Sequence, residues 1–393
     1  MKFHALSGKV TLAAATFLAS SAVAATPAMA KTLYVSASHG SDTNSCTSKR
    51  KPCATISGAV SKAGRRDQIR VASGTYAEQV TVNKDLKLVG VGHPVIDATS
   101  HINGILIQGA GAAGTSVSGF TAENALNEGI LAQRTSRVKI FDNLVEDNDQ
   151  GSSAPPAGDA ECAPTDGGNV PGDCGEGLHL FTVANSKVTG NTVKDNSGGI
   201  LLTDELGPTH GNVISHNRVR DNVTDCGITI ASHSTTAYVN GKLQRHKGGI
   251  YNNVISHNLS AGNGTAGAGA GILMASPTPG GAVYDNTVTR NTVTGNGQGG
   301  FVLHSRLAGQ FFNGNKVIAN RFSNNGALGD TPTSGDSQKT GIIVWSAVTK
   351  IKKLTVSGNR ISDEYYGIWT DNAPKIKKSR NKFRDVTVDI FQS

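Results

Sequence analysis

Asn212-Val-Ile-Ser-His-Asn217-Arg-Val-Arg-Asp-Asn222 places an asparagine at every fifth position around short apolar runs. The same spacing returns at Asn253/Asn258/Asn263, Asn286/Asn291/Asn296 and Asn315/Asn320/Asn325, with shorter versions at Asn143/Asn148 and Asn191/Asn196. The units open on a glycine and a short apolar strand: Gly104-Ile-Leu-Ile, Gly129-Ile-Leu, Gly177-Leu-His-Leu, Gly199-Ile-Leu-Leu, Gly227-Ile-Thr-Ile, Gly271-Ile-Leu-Met, Gly300-Phe-Val-Leu, Gly341-Ile-Ile-Val and Gly367-Ile-Trp. These starts lie 22–29 residues apart except across three insertions, at 149–176, 233–248 and 326–340. A unit that short cannot bury its apolar face alone and must stack on its neighbours. Asparagine suits the corners because it tolerates the left-handed backbone region, and an inward amide bonds to its equivalent one coil away. The asparagine ladder is therefore structural.

The first coil carries Leu33-Tyr-Val-Ser, Cys53-Ala-Thr-Ile, Asp67-Gln-Ile-Arg-Val, Gly74-Thr-Tyr-Ala-Glu and Leu86-Lys-Leu-Val-Gly-Val-Gly. With the repeats, these segments resemble right-handed parallel β-helix proteins of the pectate-lyase type over nearly the whole chain beyond residue 30. The resemblance implies an all-β fold, a single-stranded right-handed parallel β-helix or solenoid. Ala54 to Ala63 has Ile56, Ala59, Val60 and Ala63 at helical spacing, which predicts a short N-terminal capping helix over the open end of the stack. The expected organisation is a signal peptide at 1–30, a cap with the first coils at 31–100, and repeats with their insertions at 101–393.

Lys2 and Lys9, the apolar stretch from Val10 to Ala25 and Ala28-Met-Ala30 have the pattern of a secretory leader cleaved near Ala30. The expectation is a secreted, monomeric protein with no membrane insertion. Five cysteines suit an oxidising compartment, with Cys46 paired to Cys53 and Cys162 to Cys174; Cys226 is left as a buried inert thiol. The formal charge of +8 falls to +6 without the leader and permits an acidic partner such as a polyuronate. Aromatic residues make up only 5% of the chain and no basic run is interleaved with them, which argues against nucleic acid.

Counting from each opening glycine, positions one and three must point inward and positions two and four outward. Position two reads Leu106, Leu131, His179, Leu201, Thr229, Leu273, Val302, Ile343, Trp369; position four includes Phe181, Thr203, His304 and Trp345. So apolar an outward column predicts either a groove for sugar rings or a surface covered by the inserted loops. Just past the strands, Asp204 and Glu205 in one coil and His233 in the next converge with His179. These four are the expected catalytic centre, since a carboxylate pair serves hydrolysis and a carboxylate with histidine serves proton abstraction. Phe181, His304, Arg306, Trp345 and Trp369 are the expected substrate-binding residues.

The same four polar groups suit a divalent metal. Asp159, Glu161, Asp166, Asp173 and Glu176 permit a calcium site, although no EF-hand register is present and a solvated loop tied by Cys162 and Cys174 is the favoured alternative. No cofactor is firmly implied. The insertions at 149–176 and 233–248 are expected to wall the cleft. Function is thus read as a secreted polysaccharide lyase or hydrolase, with a non-catalytic polysaccharide- or surface-binding module as the alternative. Copper-site accessory proteins share similar coils, but Met274 is the one methionine beyond the leader.

Overall fold

The computed structural model describes residues 1–2, 29–148, 175–266, 269–326, 338–377 and 380–392. The expected Cys162–Cys174 bridge, the acids Asp159, Glu161, Asp166 and Asp173, and most of the leader and of the 326–340 insertion lie outside the described residues. The chain winds as a single-stranded right-handed parallel β-helix. A representative coil runs through Gly198–Thr203, turns to Val213–Ser215 and then to Arg218–Arg220, and each segment pairs in parallel with its equivalent one coil on.

The inward column at position one, from Ile105 through Leu178, Ile200, Ile228 and Phe301 to Ile368, is fully buried. Each such side chain contributes roughly 1.5–3 kcal/mol on leaving water, so the stack itself is the core. Ile56–Lys62 forms the capping helix; the Thr55 side chain accepts from Gly58 N, and Ile56, Ala59 and Val60 face inward. The Cys46–Cys53 disulfide is formed. No helix among the described residues is long and apolar enough to cross a membrane.

Three asparagine ladders run along the corners. The longest links Asn143, Asn191, Asn217, Asn258, Asn291, Asn320, Asn359 and Asn381, with each Nδ2 donating to the next Oδ1. The left-handed residue, however, is the one before the rung: Asp142, His216, His257, Arg290 and Ala319 all have φ between 53° and 58°. Asparagine is thus selected for its inward amide, and the strained backbone falls on a neighbour that can be Asp, His, Arg or Ala. His216 and His257, which precede equivalent rungs, stack with ring centroids 4.9 Å apart, as their shared Val-Ile-Ser-His-Asn context predicts.

The outward columns have the predicted register, with Leu131, His179, Leu201, Thr229, Leu273, Val302, Ile343 and Trp369 paired in succession. They do not form an open groove along their length. Leu201 is fully buried, and Val302, Ile343 and the nearly buried Trp369 pack with Cys226 and Ala270 in a second apolar cluster outside the coil. Alternation fixes the side of the strand a residue faces; the covering segments decide whether that side is wet. Cys226 is a buried free thiol that accepts from Ala270 N at 3.1 Å. Burial first, then the Asp225 charge, pushes it well above the usual thiol range.

Candidate functional site

Three of the four expected catalytic residues, His179, Glu205 and His233, come together, joined by two further glutamates. Glu128 and Glu176 each stand immediately before an opening glycine, in neighbouring coils. His179 follows two residues after Gly177, on the strand Glu176–Ala184. All three are almost fully buried, and one ligand atom from each lies within 4.8 Å of the others. His179 Nδ1 is 3.4 Å from Glu128 Oε1, its Nε2 is 2.9 Å from Thr203 Oγ1, and its ring meets Phe181 edge-on.

Thr203 connects this trio to the next coil, because its hydroxyl also bonds Glu205. Glu205 Oε1 in turn lies 2.7 Å from His233 Nδ1, and these two side chains are 12% and 9% exposed. Burial alone would raise the Glu205 carboxyl. The hydrogen bond and charge of His233, the charge of His179 and the Thr203 hydroxyl outweigh it and hold the group below the usual carboxylate range. The run Glu128, His179, Thr203, Glu205, His233 therefore crosses three coils from a dry interior to a partly wet rim.

Asp204 faces the other way. It is fully buried and accepts from Ser232 Oγ at 2.9 Å, His233 N at 2.7 Å and Ser234 N at 3.1 Å, and also from Gly249 N. Burial and then Glu205 push its carboxyl up to about 6, against those bonds. Instead of facing a substrate, Asp204 gathers the two ends of the insertion at 233–248, which carries a small antiparallel hairpin, Tyr238–Val239 with Lys242–Leu243.

The expected substrate residues divide in the same manner. Phe181, His304 and Trp369 are buried, whereas Arg306 is exposed and Trp345 half-buried. Arg306 donates to His304 Nδ1 at 2.9 Å and lies 5.8 Å from the Trp345 ring centre. Burial, then the Arg306 charge, pushes His304 down to about 3, leaving it neutral. Arg306 and Trp345 thus make a cationic and aromatic spot at the surface, separate from the Glu205–His233 rim. Sequence reasoning missed Glu128 and assigned Glu176 to a loop. The available signal was that both occupy the position before the glycine, so they stack.

A family model described as periplasmic copper-binding protein (NosD) matches residues 67–259 and 166–341, two overlapping stretches covering well over half the chain. The chain belongs to the NosD family. The overlap is what a repeating fold produces, since one coil aligns with several. No curated protein matches the sequence of this NosD-family chain. Among solved structures it is similar to the A-module of the mannuronan C-5 epimerase of Azotobacter vinelandii, at 12% identity over 84% of this chain and 89% of that one, with a TM-score of 0.53. A pectate lyase matches at 16% identity over 84% and 78%, TM-score 0.48, and an alginate lyase from a Paenibacillus species at 12% over 92% and 98%, TM-score 0.43. The likeness to the epimerase is one of fold.

The copper in the NosD description asks for soft donors, thioether or thiolate for the reduced ion. The described residues do not provide them together. Met274 is fully buried on an inward strand position, Cys226 is sealed in the outer apolar cluster, and the one group of metal-ligating side chains is Glu128, Glu176 and His179. That donor set is two carboxylates and an imidazole, so no copper(I) chemistry is derived from it.

Proposed function

We propose that this NosD-family chain is a carbohydrate-active protein that takes an acidic polysaccharide and abstracts a proton from it, with His233 as base and Glu205 as the group that orients it. The 2.7 Å contact between Glu205 Oε1 and His233 Nδ1 carries this reading; His233 Nε2 is itself buried, so a substrate reaches it only once the adjoining insertion at 233–248 shifts. A carboxylate that accepts the Nδ1 proton fixes the tautomer in which Nε2 is basic. In an elimination, Nε2 takes the proton from the carbon beside the uronate carboxylate, its electron pair forms the carbon–carbon double bond as the bond to the glycosidic oxygen breaks, and that oxygen leaves protonated by water or by the imidazolium just formed. Asp204, held by four donors, is poorly placed to be the second carboxylate of a hydrolase, which favours lyase-type chemistry. The leader-like N-terminus and the periplasmic description of the family support a location outside the cytoplasm.

The test is turnover of polygalacturonate, alginate and neutral glycans, following ultraviolet absorbance and new reducing ends. Absorbance with reducing ends, and a loss of at least about 100-fold in kcat for His233→Ala with an unchanged melting temperature, is the expected outcome. A second reading, a non-catalytic polysaccharide-binding module, is favoured by the burial of most of the outward column, which leaves Arg306 and Trp345 as the surface contact. Silence across the panel together with measurable polysaccharide binding would select it.

A further inference from the structure

We propose that Glu128, Glu176 and His179 form a built site for a divalent cation of the manganese or zinc class. The site does not depend on the proton-transfer reading, because cation uptake is measured without turnover.

Three observations carry it. The first is charge. Two glutamates sit in adjacent coils, 0% and 1% exposed, and no Lys or Arg among the described residues pairs with Glu128. A carboxylate buried as deeply as Glu128 needs a neutralising partner, and His179 is the group it faces. The second is an orphan atom. Glu128 Oε2 is buried and has no hydrogen-bond partner, although Oε1 of the same carboxylate faces His179. A fully buried carboxylate oxygen without a donor is expensive, and here it belongs to the carboxylate whose other oxygen joins the cluster.

The third observation is the direction of the hydrogen bonds around His179. His179 Nε2 lies 2.9 Å from Thr203 Oγ1, which leaves Nδ1 as the ring nitrogen turned toward Glu128. A ring that gives Nε2–H to Thr203 can offer its Nδ1 lone pair to a cation shared with Glu128 Oε1, 3.4 Å away. The spacing suits one: donors about 2.1 Å from a zinc-class ion lie roughly 3.4 Å apart in a tetrahedral site, and the trio's ligand atoms fit within 4.8 Å. Gly198, paired with Glu176 in the next coil, keeps this face open; a Cβ there would lie 3.4 Å from Glu176 Oε1. Thr203 is then a positioning residue, fixing the histidine ring from its far side as ligating histidines require.

Chelator-treated full-length protein is titrated with Mn²⁺, Zn²⁺, Ca²⁺ and Cu⁺ by calorimetry, with melting temperature and the loss of the free Mn²⁺ electron paramagnetic resonance signal as parallel readouts. One equivalent of Mn²⁺ or Zn²⁺ should bind and raise the melting temperature. Glu128→Gln, nearly the same shape, should weaken that binding at least about tenfold, and Thr203→Val by roughly 10–100-fold. If no divalent ion binds and Glu128→Gln simply raises or lowers stability, the trio is a carboxylate–imidazolium cluster and the proposal is wrong. Stoichiometric Cu⁺ uptake unaffected by Glu128→Gln would also overturn it, placing the family's metal elsewhere.

Discussion

Glu364 stands where a rung of one asparagine ladder should be. Asn325 donates its backbone N–H and its Nδ2 to Glu364 Oε1, at 2.9 and 3.1 Å, and the side chain is 3% exposed. Burial pushes the carboxyl up to about 8, only partly offset by the Asn325 bonds and the Lys339 charge. A raised carboxyl binds a proton in the folded state that it has lost in the unfolded state, so stability falls as pH rises from about 4.5 to about 8. Glu364→Gln keeps the acceptor and removes the charge. It should melt above the parent at pH 8, by an amount on the order of 3 kcal/mol or less, with the difference vanishing near pH 4. Equal melting curves at both pH values would show that the site stays solvated.

At the scale of elements, the two ends of the insertion at 233–248 are gathered by one residue, while Ala237, Tyr238 and Leu243 pack its middle against Ala282, Tyr284 and Phe311. Asp204 receives donors from both of its ends, Ser232, His233 and Ser234 on one side and Gly249 on the other. A catalytic role for Asp204 implies that Asp204→Ala abolishes turnover and leaves stability near the parent value. The structure predicts a different result, because three backbone N–H groups would be orphaned by the change. Asp204→Ala should cost at least about 3 kcal/mol, and hydrogen exchange should accelerate across 232–249. Unchanged protection there would mean that the loop is held by other contacts. His233, whose backbone N–H is in that anchor but whose ring is at the rim, is the better probe of chemistry.

For the whole molecule, stability is close to a sum of coil interfaces, so the cost of losing a rung depends on where it sits. Asn291 is fully buried and makes bonds in both directions: it accepts from the N–H and amide of Asn258 and donates to Asn320 and to Ile255 O. Asn381, the last rung, is 8% exposed and accepts from Asn359 while donating to Val356 O. Asn291→Ala should therefore destabilise by about 1–3 kcal/mol and Asn381→Ala by less, as read by denaturant unfolding. Equal costs would show that the ladder transmits nothing along the stack.

The repeat, its inward and outward columns and their pairing order follow from counting residues after Gly104, Gly129, Gly177 and the later glycines, because a coil that must stack leaves its equivalents no other register. The cap helix, the Cys46–Cys53 bridge and the convergence of His179, Glu205 and His233 were legible for the same reason: they are local, or they repeat. What covers the outside of the coil was not. The burial of Leu201, Val302 and Trp369 and the turning of Asp204 into its own loop depend on the path of inserted segments whose periodicity is broken, and only the tertiary structure, where desolvation and long-range hydrogen bonds act, decides them.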